Sequence, residues 1–290
     1  MTIAIASGKG GTGKTTLAVH LASLLAHTAS VTLVDLDVEA PDDAAYFPED
    51  STLASEKPVH VMVPELTDAC TGCGACAAVC HFGAIVAIKG SVGVNPDLCK
   101  GCGRCVSACP AGALVEKPVR IGMVTARSGS GPHLVEGRLD VGDIRSTVVI
   151  DAAKKTARDT NSQYIIRDCP PGATCPSVKA VHGADVCVLV AEPTLFSVHD
   201  VTAAARFVAD LGIPAGLVVN KAGEGSADPV AAAAELGLIH LGSIPWTESM
   251  ARAGAAGRRV DDDPALKGTL DHIMQGILRL AASQGNEAAS

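Results

Sequence analysis

The sequence is poor in aromatic residues. One Trp, two Tyr and four Phe make up 2% of 290 residues, too few for the platforms on which single-stranded nucleic acids stack. Positive charge is also scarce: 23 Lys and Arg stand against 31 Asp and Glu, a formal net charge of −8, with no basic stripe. Phosphate neutralisation supplies most of the affinity in general nucleic-acid binding, so no nucleic acid is expected as a partner. Long apolar runs are missing too. None approaches the roughly 20 residues that cross a bilayer, and Met1 leads straight into a strand-like run. We therefore expect a cytoplasmic protein with no stable membrane association.

Small and apolar residues are abundant: 48% of the chain is hydrophobic and 30 residues are Gly. Strand-like runs at 3–6, 31–34, 121–125, 164–167, 186–190, 216–219 and 238–244 alternate with Ala/Leu-rich segments. In the segment 15–26, Leu17, Leu21, Leu24 and Leu25 share one helical face; 198–211 is a second such helix. Strands apolar throughout, separated by amphipathic helices, predict a doubly wound α/β fold with a mostly parallel sheet. One stretch breaks the rhythm. From about 63 to 118 the chain is Cys- and Gly-rich, with short strands at most. The expected organisation is a discontinuous main domain, 1–62 and 119–290, with a small α+β domain inserted at 63–118. The acidic stretch at 261–263 reads as a surface loop and the final "NEAAS" as a frayed tail.

The insert contains an internal repeat, "CTGCGACAAVCHFGAI" and "CKGCGRCVSACPAGAL". Each half has the spacing C-x2-C-x2-C-x3-C, in which three cysteines hold one iron–sulfur cubane and the fourth reaches across to the other. Cys70, Cys73, Cys76 and Cys109 would bind cluster I; Cys99, Cys102, Cys105 and Cys80 would bind cluster II. Two 4Fe-4S clusters are therefore expected. Zinc sites favour paired C-x2-C units with a long spacer and do not use a third evenly spaced cysteine. Disulfides conflict with the clustering and with a reducing compartment. Pro110 follows the last cysteine of the second run, whereas His81 stands in that place in the first. The segment resembles bacterial two-cluster ferredoxins.

The N-terminal run "IASGKGGTGKTTL" carries Gly-x4-Gly-Lys-Thr between a strand and an apolar-periodic helix. Gly8, Gly10, Gly11, Thr12 and Gly13 let backbone N–H groups wrap a phosphate at a helix N-terminus. Lys14 would reach the β- and γ-phosphates, and Thr15, followed by Thr16, would ligate Mg²⁺. Strand-end acids lie in "LVDLDVEAPD", with Asp35 and Asp37, and in "YIIRDCPPG", with Asp168. Of Asp37 and Asp168, one would position water or metal near the γ-phosphate and the other hold Mg²⁺ through water; Asp35 reads equally well as a cap. Lys9, the second residue of the loop motif, is extra to a phosphate grip.

The motifs "KGGTGKTT", "VDLDVEAPD", "DCPPG" and "VVNKA" together resemble the deviant phosphate-loop ATPases, of SIMIBI type, the group of MinD, ParA, the nitrogenase iron protein and the Mrp-type cluster carriers. By architecture the chain looks like the members with an inserted ferredoxin domain. The resemblance implies an ATP-dependent homodimer in which Lys9 crosses to the partner's phosphates. It also implies Lys14 as the cis lysine, Thr15 as Mg²⁺ ligand, Asp37 as the residue orienting the attacking water, Asp168 as a Walker B-type aspartate, and Asn220 as reader of adenine.

Cys187 reads as a core residue. Cys175 stands seven residues after Asp168, the offset at which the nitrogenase iron protein places a cluster ligand, but the matching earlier loop, "TARSGSGPHLVEG", contains no second cysteine. Three functions follow as expectations: ATP-dependent assembly or delivery of a metallocluster to an acceptor protein; ATP-gated electron transfer; and a positioning switch with redox-sensing clusters.

Overall fold

Strands without polar alternation are stable only between two covering layers, and the centre of the molecule is built from them. The computed structural model describes all residues except 48–50, 224, 226, 261–262 and 288–290. The strands are β1 (Thr2–Ala6), β2 (Val31–Asp35), β3 (Ser51–Leu66), β4 (Ile85–Ile88), β5 (Ser91–Val94), β6 (Leu114–Gly129), β7 (His133–Leu139), β8 (Tyr164–Asp168), β9 (Val186–Ala191), β10 (Ala215–Ala222) and β11 (Ile239–Pro245). The helices are α1 (Lys14–Ala26), α2 (Ala75–Ala78), α3 (Arg104–Ser107), α4 (Ser146–Asp159), α5 (Cys175–Val181), α6 (Leu195–Asp210), α7 (Pro229–Glu235), α8 (Glu248–Ala255) and α9 (Pro264–Glu287).

Nine strands form one sheet in the order β11-β10-β9-β1-β8-β2-β7-β6-β3, while β4 and β5 make a separate hairpin. From β11 to β7 every pairing is parallel; β6 and β3 are antiparallel. The mostly parallel α/β architecture is thus present. Two apolar cores flank the sheet: Ile3, Ile5, Leu33 and Ile166 pack with α1 and α9 on one face, and Ala4, Val34, Val149 and Val201 with α4 and α6 on the other.

Two sequence expectations need correction. The insert was to have short strands at most, yet β3 and β6 are 16 residues each and pair from Ser51↔Gly129 to Leu66↔Leu114, crossing both expected boundaries at 63 and 118. The cysteine segment is the loop at the far end of this stalk, closed by a hydrogen bond from Thr67 N–H to the Ala113 carbonyl, 2.9 Å. Second, "TARSGSGPHLVEG" is no loop: it is the end of β6, a turn and the start of β7. The loop that approaches Cys175 is instead 140–145, whose Asp140, Val141, Gly142, Asp143, Ile144 and Arg145 share a cavity wall with it. Part of the 261–263 loop and the last three residues of "NEAAS" lie outside the described residues; Asn286 and Glu287 belong to α9.

Candidate nucleotide site and cysteine sets

Parallel strands in register bring their C-terminal ends to one edge, where ligands of such sheets bind. Ile5 pairs with Asp168, Asp35 with Asp168, and Val219 with Ala191. The glycine loop after β1 therefore meets Asp168 at the end of β8, Asp35 at the end of β2, Glu192 just past β9 and Asn220 in β10. Two glycines are dictated by close approach: a Cβ on Gly8 would lie 2.1 Å from the Asp200 carbonyl carbon, and one on Gly13, already at φ +90°, 2.0 Å from the Asn220 amide nitrogen.

Thr15 Oγ1 donates to Asp168 Oδ2 at 2.5 Å. Asp168 is buried, which pushes its carboxyl up to about 7, although Lys14 and the Thr15 hydrogen bond favour its charged form. Its Oδ1 and the buried Thr12 hydroxyl have no hydrogen-bond partner among the described residues. Unpaired buried polar atoms are costly, and here they line a backbone cradle next to a buried lysine, Lys14. These residues fit a Mg²⁺-bound phosphate chain. Asp37 is half-buried; burial raises its pKa and Lys14 opposes the shift.

Asp35 takes the capping role. Its Oδ1 accepts the Asp37 N–H at 3.0 Å, and its Oδ2 accepts those of Asp42 and Asp43 at 2.8 and 3.1 Å. It staples the loop that carries Asp37. Asn220 Nδ2 donates to the Thr12 carbonyl at 2.8 Å, so its amide N–H₂ braces the glycine loop. Gly10, Gly11 and Thr16 complete that loop, with Gly11 at φ +78°.

Lys9 pairs within its own chain with Glu192, Nζ to Oε2 3.0 Å. Lys221, itself at φ +54°, pairs with the other oxygen of Glu192 and donates to the Gly11 carbonyl at 3.0 Å. Both lysines hold the Glu192 carboxyl below its ordinary pKa against the effect of burial. The sequence reading did not single out Glu192 and Lys221. The signal was available: Glu192 is an acid at a strand end, like Asp35 and Asp168.

The eight insert cysteines separate into two groups. Cys70, Cys73, Cys76 and Cys109 line one small cavity; Cys80, Cys99, Cys102 and Cys105 line another. Each group takes three cysteines from one repeat and one from the other. Backbone N–H groups already face the sulfurs: Gly101 N–H donates to Cys99 Sγ at 3.4 Å and Ala113 N–H to Cys109 Sγ at 3.3 Å. All cysteines are free of disulfides. Four thiols around each cavity are the donor set that iron–sulfur clusters use. Among the described residues, Asp35, Asp42 and Asp43 place ligand atoms within 4.8 Å of one another. Cys187 is buried in the core, and Cys169 is buried with its thiol pushed up to about 12. Cys175 is exposed at the start of α5.

A glycine loop between β1 and α1, closed by Lys14, Thr15 and Asp168, defines a phosphate-loop nucleotide-binding domain. The model of the CobQ/CobB/MinD/ParA nucleotide binding domain matches residues 3–260, and the chain belongs to this family and is an ATPase. It is 36% identical over 201 residues to the uncharacterized protein MJ0578 of Methanocaldococcus jannaschii, covering 69% of this chain and 70% of that protein. With MJ0579 of the same organism it shares 30% over 225 residues, 77% of this chain and 81% of that protein. Among solved structures it is similar to the cell division ATPase MinD of Pyrococcus furiosus, with TM-score 0.59, 18% identity, and 96% and 98% of the two chains covered. MinD of Pyrococcus horikoshii, complexed with Mg-ADP, gives 0.58 at 19% identity, covering 99% and 98%. These two likenesses concern the fold. Among the described residues no helix is long and apolar enough to cross a membrane.

Proposed function

We propose that the protein is an ATP-driven iron–sulfur protein that dimerises on ATP and passes electrons from two resident 4Fe-4S clusters to an acceptor protein. The observation that carries this reading is the sorting of eight cysteines into two crossed sets of four, each around its own cavity. The segment 63–118 would be the cluster-binding unit. Four thiolates from one chain leave no ligand position open, and Cys76, Cys99 and Cys105 are buried. Such ligation suits a group that stays and exchanges electrons more than one that leaves. When bound, the clusters supply one-electron storage at low potential.

The chain's own residues do the rest. Lys14 and the loop amides hold the phosphates, Thr15 and Asp168 hold Mg²⁺, and Asp37, stapled by Asp35, orients the attacking water. Lys9 leaves Glu192 for the partner subunit's phosphates, and Asn220 fixes the glycine loop beside the base. The second reading, assembly or delivery of a metallocluster, is favoured by one observation: Cys175 is an exposed thiol on the segment that follows Asp168. The positioning-switch reading draws only on family membership.

Reduced protein turning over ATP anaerobically beside an iron chelator and an oxidised one-electron acceptor dye, which takes up the electron each cluster loses, separates the two. Electron transfer keeps the iron with the chain and changes its oxidation state; loss of iron to the chelator at unchanged oxidation state overturns that reading in favour of delivery. Lys14→Ala is expected to lower ATP hydrolysis by about 10²–10³-fold, the usual effect of removing a transition-state donor. Lys9→Ala should retain nucleotide binding and lose ATP-dependent dimerisation, measured by light scattering. A dimer that persists with ATP would leave Lys9 as merely the partner of Glu192.

A further inference from the structure

The two cysteine sets differ in their attachment to the rest of the molecule. Cys99 is buried in the same apolar core as Val34, Val149 and Ile150 of the nucleotide domain, with Cys80 packed against it. Cys70, Cys73, Cys76 and Cys109 surround a cavity further out, walled by Leu66, Leu114 and their own repeats. The set containing Cys99 is therefore the inner one.

One side chain ties that inner set to the ATPase. Arg145, immediately before α4, is 4% exposed. Its Nη1 donates to the carbonyl oxygens of Pro96 and Cys99, both at 3.3 Å. The other edge of the guanidinium is fixed by Asp143: Nε donates to Oδ1 at 2.8 Å, Nη2 pairs with Oδ2, and the Arg145 backbone N–H also donates to Oδ1, at 2.9 Å. A rigid fork held by a carboxylate on one side reads the Cys99 loop with the other, which the point charge of a lysine cannot reproduce.

The surroundings of Arg145 lead to the nucleotide. With Asp143 it walls a cavity of about 840 Å³ whose other sides include Glu39, two residues after Asp37, and Cys175 and Pro176, on the segment after Asp168. Phe82 and Lys100 of the cysteine segment line it too. Here the two loops next to the phosphate site meet the cysteine segment. Groups hydrogen-bonded around a metal ligand tune the metal centre, and a buried charge acts through a low effective dielectric. A shift of either loop that moves the Asp143–Arg145 pair thus changes the field and the hydrogen bonding at Cys99.

We propose that Arg145 is a positioning residue that makes the inner cluster, held by Cys80, Cys99, Cys102 and Cys105, responsive to the nucleotide state, while the outer cluster is not. This rests on the cluster reading above. The test uses full-length protein purified anaerobically, with iron counted per chain and the two clusters titrated by EPR-monitored redox potentiometry, once with Mg-ADP and once with a non-hydrolysable Mg-ATP analogue. The signal lost in Cys73→Ser identifies the outer cluster.

In the wild type the inner midpoint shifts between nucleotide states and the outer one does not. Arg145→Lys keeps the charge and loses the fork, and is expected to lose that shift at unchanged iron content. Asp143→Asn, which leaves the guanidinium in place, should reduce it as well. Hydrogen exchange of residues 96–105 should follow the same pattern, nucleotide-dependent in the wild type and independent in Arg145→Lys. A shift that survives in both variants, equal shifts of both clusters, or no shift in iron-loaded wild type overturns the proposal. Wild type that binds ATP but carries no iron overturns the cluster reading itself, a distinguishable result.

Discussion

The nucleotide domain and the cysteine segment are held together in different ways. In the domain, Ile3, Ile5, Leu33, Ile166 and Leu189 are fully buried, and burial of a large aliphatic side chain stabilises by about 1.5–3 kcal/mol. In the cysteine segment the buried apolar set is small, Cys76, Ile85, Cys105 and Leu114, while Val86 and Ile88 are 55% and 66% exposed. Segments below roughly 70 residues rarely support themselves on such a core and use metals or disulfides. Here the disulfides are absent. One chain thus combines a region ordered by water exclusion with a region whose own apolar core is small and which, on the function proposed above, what its thiolates bind would complete.

The strongest way to break this comparison is to remove iron. Chelation under reducing conditions should abolish amide protection throughout residues 67–113 and leave that of β1, β8 and β9 intact, as read by hydrogen exchange; protection that survives in iron-free protein would mean that the segment's own core suffices. A matched pair of substitutions is next in size. Leu33→Ala should cost about 2–5 kcal/mol in denaturant unfolding, as aliphatic core truncations do. Val86→Ala should stay within about 0.5 kcal/mol, as surface changes do.

The third test lies in pH dependence. Asp168 is shifted from 3.8 to about 7 by burial, so between those values the folded nucleotide-free chain keeps a proton that the unfolded chain has released. Its contribution to stability therefore falls as pH rises through that window and is flat above it. Asp35 and Asp43 are shifted in the same direction. Asp168→Asn should remove its share of the slope. Mg²⁺-nucleotide favours the carboxylate, so binding just below pH 7 should release protons in the wild type and fewer in Asp168→Asn, measured calorimetrically in buffers of different ionisation enthalpy.

What was legible in the sequence is what depends on local spacing. The glycine loop, the cysteine repeats and the apolar strands 164–167 and 186–190 each carry their signal within a few residues. The stalk did not. It contains Pro58, Pro64 and Pro118, residues that sheets accept at edges; β3 is an edge strand and the outer half of β6 has only β3 beside it, which only the assembled sheet reveals. The turn-like "SGSGP" hid the start of β7 in the same way. Arg145 was illegible for another reason: its partners Pro96 and Cys99 are 49 and 46 residues away in sequence, and no periodicity encodes such a contact. Lys9 was legible as an extra residue, and Glu192 as an acid at a strand end, but their pairing across the chain from position 9 to position 192 was not.

The stalk has a mechanical consequence. Residues 122–127 of β6 are pinned between β3 and β7, whereas 114–120 pair with β3 alone. At roughly 3.3 Å per residue the two-stranded part is about 23 Å long, yet Val61 and Val63 are buried in the core that also holds Val34 and Val149, and Arg120 pairs with Asp140. The two-stranded ribbon is thus a bracket: the core contacts, the Arg120–Asp140 pair and the Arg145 contact fasten its inner half, and the outer cysteine set rides on the overhang.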